Sequence, residues 1–230
     1  ALLRQPSRTP APGGPGPGTL ALFGAYDRRL PRTRLLAAGW EAAGGRVVEI
    51  NEPLWPDAGD RAAAAVGGGL MGASPWRWLA TQGRLWRRRG ELAGADVVLV
   101  PYPGYLDMPL ARLAADDAGR PLAFDPFISI HDTLVMDRGL VRAGSPQAVA
   151  CALLDRLSLR LADRVLADTA AHGQYFRGFG SLKAGRVAVV PVGADDRRFA
   201  PRAAAPHPGI EVLFYGRGIP LHGVETVIGA

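Results

Sequence analysis

The 230 residues carry 48% apolar and 21% charged side chains, the balance of an ordinary globular chain long enough for one large domain, or one domain and a piece of another. No apolar run approaches the ~18–20 residues of a membrane-spanning helix, the N-terminal segment lacks the layout of a signal peptide, and the lone cysteine, Cys151, cannot close an internal disulfide. The formal charge of +6 is carried almost wholly by arginine, Lys183 being the single lysine, which reads as compositional bias rather than a nucleic-acid footprint. A reducing cytoplasm is the expected setting, and the basic surface leaves anionic lipids or phosphorylated ligands as partners.

Residues 1–18 are rich in proline and glycine, bury too little apolar surface to offset ordering, and are expected to be disordered. From Thr19 short apolar runs alternate with helical stretches, the pattern of βαβ units around a parallel sheet. Leu20–Phe23 is the first expected strand, ending at Gly24. A helix follows from Pro31 through Trp40 and stops at Gly44-Gly45, with proline at its start and glycine past its end. Arg46–Ile50 is the second strand. After an undetermined Ala/Gly-rich stretch, Ser74-Pro75 opens a helix to about Leu92.

Ala95–Val100 reads as a buried strand, Asp107 as the cap of a helix to Asp117, and Pro121–Phe124 as the next strand. Ser145-Pro146 opens a long helix to Ala162, Arg164–Ala167 is a strand, Thr169 caps a helix reaching Phe176, and Arg186–Val190 closes the series. These six strands fit one Rossmann-like, doubly wound α/β domain over 19–199. Residues 200–208 read as a linker, and 209–230 as the start of a second, incomplete Rossmann-like domain with a strand at Ile210–Tyr215. The chain starts at Ala1 and stops at Ala230 inside a helical pattern, and is expected to be a fragment.

The segment RVAVVPVGADDRRFAP (186–201), a proline-rich gap and VLFYGRGIPLHGVETVIGA (212–230) resemble the interdomain crossing of the family 4 retaining glycosyltransferases, which have the GT-B fold of two Rossmann-like domains. The matching positions are Pro191, Gly193, Asp195, Phe199 and Pro201, then Gly216, Arg217, His222 and Gly223. FGAYDRRLPRTRLLAAGW, YPGYLDMPLARL, PLAFDPFISIHDTLVMDRGLV and LADRVLADTAAHGQYF are similar to a bacterial subset of that family, so the resemblance covers residues 20 to 230.

The resemblance implies transfer of a sugar, with retention, from a UDP-, GDP- or dTDP-sugar to a glycan, lipid-linked or small-molecule acceptor, with no cofactor, no catalytic metal and no nucleic-acid partner. It implies that Arg217, His222 and Gly24 face the donor phosphates. Physically, a guanidinium and a donor beside a helix N-terminus suit an anion. It implies that His131 lies at the reacting region, with the reading of a structural histidine left beside it. Tyr26, Asp132 and His172 are candidate acceptor contacts. Asp107 is a candidate too, after its reading as a helix cap.

The family's paired glutamates would fall beyond Ala230, so the fragment alone is expected to be inactive. His222 departs from the family's lysine, which keeps a non-catalytic binding subunit open as the alternative. Another Rossmann-like nucleotide-sugar enzyme is the third reading, and the absence of a glycine fingerprint after the first strand speaks against it.

The helix over 75–92 places Trp78, Leu79, Leu85, Trp86 and Leu92 near one face, ringed by Arg77, Arg84, Arg87, Arg88 and Arg89. The pattern favours an ordinary amphipathic helix packed on the sheet; peripheral contact with an anionic membrane at its inner face is the alternative. Gly67–Gly72 matches the dinucleotide glycine spacing but follows an alanine run rather than a strand, and is set aside.

Overall fold

The computed structural model describes residues 16–54, 75–196, 198–200, 213–214 and 223–229. Its described part divides into two units: the first holds the chain up to Phe127 together with Leu154–Gly193, the second Ile128–Leu153 and the residues from Ala194 onward. Gly67–Gly72, residues 201–208 of the linker, Arg217 and His222 lie outside the described residues, as does most of the expected strand at 210–215.

The first unit is an α/β Rossmann-like sheet of six parallel strands in the order β2-β1-β3-β4-β5-β6. They are β1 (Thr19–Gly24), β2 (Arg46–Asn51), β3 (Val97–Val100), β4 (Leu122–Phe124), β5 (Arg164–Ala167) and β6 (Val187–Val189). Every pairing is parallel, with Thr19 opposite Arg46 and Gly24 opposite Asn51 at the two ends of β1 and β2. All residues of β1 and β4 are buried, so the centre of the sheet reads as continuous apolar runs.

Side chains alternate across this sheet. Leu20, Leu22, Leu99 and Ala123 meet Leu36, Ala37 and Trp40 of α1 (Pro31–Ala42). The intervening Ala21, Phe23, Val98, Val100 and Phe124 are buried on the opposite face. There Phe124 meets Tyr105 edge-on, with ring centroids 5.0 Å apart. The β1-to-β2 crossover runs the opposite way along the sheet from every later one. Right-handed crossovers therefore put α1 on one face and the later helices on the other.

Helix α2 (Pro75–Arg87) ends sooner than its apolar pattern predicts, and a 3₁₀ segment, Arg89–Gly94, takes over. The Arg88 amide is shared between the Arg84 and Leu85 carbonyls at 3.3 and 3.1 Å, the tightening that precedes a 3₁₀ turn. Gly90, a poor helix former, follows at once. The faces of α2 also differ from expectation. Thr81, Leu85 and the downstream Leu92 are buried, whereas Trp76, Leu79 and Trp86 are exposed. The apolar residues thus divide between an inward and an outward stripe.

Helix α3 (Met108–Asp117) follows a short 3₁₀ turn, α4 is Pro146–Leu161, and α5 is Ala170–Gly180. Ser145 Oγ accepts from the Ala148 amide at 3.2 Å, and Thr169 Oγ1 from the His172 amide at 3.2 Å, so both serine/threonine caps form as expected. Helix α5 runs one turn past Phe176. It closes with Ser181 in the left-handed region at φ 54° and with Leu182 N–H bonded to the Arg177 carbonyl.

Gly16–Gly18, expected to be disordered, are part of the fold: the Gly18 carbonyl accepts from Trp40 Nε1 at 3.0 Å and from the Arg46 amide at 2.9 Å. These bonds offset the ordering cost that composition alone leaves unmet. The second unit contains a π-helical turn, Asp132–Asp137, the start of α4, and a short helix α6 (Val224–Ile228). No helix among the described residues is long and apolar enough to cross a membrane.

Candidate functional site

In an open parallel sheet the strand order reverses between β1 and β3, and the crevice beyond their carboxyl ends is where ligands collect. Gly24 ends β1 there with φ +136°, a conformation that a side chain rarely adopts. A Cβ on it would lie 2.8 Å from Asp107 Oδ2. The same oxygen accepts from the Ala25 amide at 2.7 Å, and Asp107 Oδ1 accepts from Gln82 Nε2 at 2.6 Å.

Asp107 is therefore not the side-chain cap that the sequence suggests. It stands at the N-cap position of α3 but makes no cap hydrogen bond, because its carboxylate has turned to the β1 turn. Its burial raises its pKa, and the bonds from Ala25 and Gln82 draw it back only partly.

Tyr26, next along the turn, is buried: its hydroxyl donates to Glu49 Oε2 at 3.0 Å and its carbonyl accepts from Asn51 Nδ2 at 3.0 Å. Burial, and then the Glu49 carboxylate, push the phenol far above its ordinary range. Glu49 also pairs with Arg28 at 2.5 Å. This tyrosine braces the turn against β2.

Beyond β4 the structure assembles a group the sequence reading did not single out. Asp125 is fully buried and accepts from Arg32 Nε at 2.9 and 2.8 Å through its two oxygens. Arg32, in the first turn of α1, also donates from Nη1 to the Val190 carbonyl at 3.0 Å and stacks over Phe127 at 5.5 Å. Its Nη2 is buried without a hydrogen-bond partner. Phe127 holds φ 60°, a left-handed conformation that costs a non-glycine residue roughly 1–2 kcal/mol. One side chain thus ties the start of α1 to the ends of β4 and β6. Burial raises the Asp125 pKa; Arg32 opposes the shift and the Asp168 carboxylate adds to it. The available sequence signal was an aspartate placed directly after a buried strand, in AFDP.

Asp168 and His172 stand beyond β5. Asp168 Oδ1 and His172 Nδ1 are 2.6 Å apart, and the imidazole lies 6.0 Å from the Phe176 ring. His131 and Asp132 belong to the second unit, where they open the π-helical turn; the Asp132 amide donates to Ser129 Oγ at 2.9 Å. The first unit therefore brings Gly24, Tyr26, Asp107, Asp168 and His172 to one edge of the sheet. Among the described residues no group of three or more His, Cys, Asp or Glu could hold a metal.

Among curated proteins nothing matches the chain. Two solved structures of the HepE protein of Anabaena resemble it, one in complex with UDP-glucose (TM-score 0.44) and one with UDP and glucose (TM-score 0.42). Each is 16% identical, over 78% of this chain and 45% of that one. The chain thus spans less than half the length of these relatives. The family model of the glycosyl transferase 4-like domain matches residues 13–193. That stretch contains the whole six-stranded sheet and its carboxyl edge, and the chain belongs to that family.

Proposed function

We propose that the whole protein transfers a sugar from a nucleotide-sugar donor to a hydroxyl-bearing acceptor, with retention, and that residues 19–199 are the acceptor-side domain. The observation that carries this reading is the family match over 13–193. The open carboxyl edge of a parallel sheet supports it as the place where such a ligand is held. In this reading the donor diphosphate is bound by Arg217 and His222 from the domain that begins near residue 209, and His131 lies at the reacting region. Stabilising the departing diphosphate needs only fixed positive groups and helix N-termini, so the reading requires neither cofactor nor metal.

The outward stripe of α2 is the proposed contact with an anionic membrane on the cytoplasmic side. Trp76 is 78% exposed and Leu79 49%, and the Arg89 guanidinium lies 4.2 Å from the Trp86 ring centroid. Aromatic and cationic side chains together suit a headgroup boundary.

The test is release of nucleoside diphosphate by the full-length protein from a panel of UDP-, GDP- and dTDP-sugars, with and without a lipid extract. Turnover with one donor, abolished by Arg217→Ala, is expected. A full-length protein that neither binds nor turns over any donor would support the non-catalytic binding subunit instead.

A further inference from the structure

We infer that His172, its ring proton held on Nδ1 by Asp168, accepts a hydrogen bond at Nε2 from an uncharged hydroxyl group of the acceptor. This edge of the sheet then recognises a neutral sugar or polyol rather than a phosphorylated one. The inference deepens the transfer reading and rests on it.

Three observations support it. First, the Asp168–His172 contact is not needed to cap α5, because Thr169 Oγ1 already accepts the His172 amide. Second, the two groups differ in exposure: the Asp168 side chain is 14% exposed and the imidazole 42%. A neutral imidazole has one donor and one acceptor nitrogen. With Nδ1 directed at a nearly buried carboxylate, the proton belongs on that nitrogen. Nε2, on the other side of the ring, is left as a lone-pair acceptor.

The third observation is the local charge. Asp168 adds, as the smallest of the causes, to the rise in the Asp125 pKa that burial produces, so these two carboxylates share one electrostatic neighbourhood. Arg32, the cation paired with Asp125, is held by that carboxylate and by the Val190 carbonyl, and its remaining Nη2 is buried. A phosphate at His172 would meet the Asp168 carboxylate at short range. A hydroxyl carries no such repulsion, and it donates to Nε2.

The test uses the full-length protein and two readouts. Nitrogen-15 NMR of the histidine rings should show His172 as the Nδ1–H tautomer in the wild type, and Asp168→Ala should release it to the Nε2–H form. With the active donor, p-nitrophenyl hexosides and hexose 1-phosphates serve as acceptor probes. The hexosides should be taken in preference. His172→Ala should raise their KM about tenfold while the donor KM moves by less than about twofold, and His172→Gln should recover part of the loss.

An Nε2–H tautomer in the wild type, a preference for the phosphates, no hexoside taken, or an unmoved hexoside KM each overturns the inference alone. Absence of donor turnover in the wild type overturns the transfer reading and this inference together.

Discussion

Asp107 shows how a single side chain can satisfy a local rule and serve another purpose. An aspartate directly before a helix is the ordinary cap signal, yet its oxygens are bound to Ala25 N–H and Gln82 Nε2, from two other elements. Replacing it with alanine leaves those donors buried and unpaired, at a cost of about 1–3 kcal/mol. Asp107→Asn should be tolerated better, because Gln82 Oε1 is itself buried without a partner and a flipped amide could accept from the new Nδ2.

The sign of the pH dependence follows from the raised folded-state pKa. Such a carboxyl favours folding most when protonated, below the unfolded value of ~3.9, and the benefit is lost as pH rises through the folded value. Urea unfolding at about pH 4 and pH 7 should therefore show Asp107→Asn gaining on the wild type as pH rises. A relative loss over that interval would contradict the assignment.

At the scale of elements, helix termini follow from local chemistry and helix faces from what lies beside them. Pro31, Ser145 and Thr169 start their helices as read from the sequence. The end of α5 needs a left-handed residue, and Ser181 fills a place where glycine is ordinarily found. Ser181→Gly should thus stabilise the chain by about 0.5–1 kcal/mol, visible as a higher midpoint in urea unfolding. A lower midpoint would mean that the hydroxyl makes a contact worth more than the relieved strain.

Helix α2 is the element whose faces its sequence specifies least. Its apolar residues recur at helical spacing on both sides, so periodicity could not say that Leu85 turns inward and Trp76 outward.

For the whole molecule, the order of burial sets the order of stability. β1 and β4 are buried throughout and lie inside the sheet, whereas β2 and β6 are edge strands with partly exposed residues. Amide hydrogen exchange should be slowest in β1, β3 and β4, and faster in β6 and the Asp132–Asp137 turn. Equal protection across the six strands would argue against this ranking.

The fold was largely legible because alternating apolar runs, proline starts and glycine stops are local signals, and a parallel sheet needs little more to specify its layers. His172, Asp107 and Gly24 are legible as candidates from their places after strands or before helices. Arg32 is not, being one arginine among many in a basic chain.

The sequence by itself determined the six strands, their helices and the family resemblance, since these depend on composition and spacing along the chain. Only the tertiary structure decided that Arg32 meets Asp125, 93 residues away, and that Asp107 meets Ala25 across 82. The reason is physical. The free energy of a buried charge depends on which groups the folded chain places within hydrogen-bond reach, and residue order records no such distance.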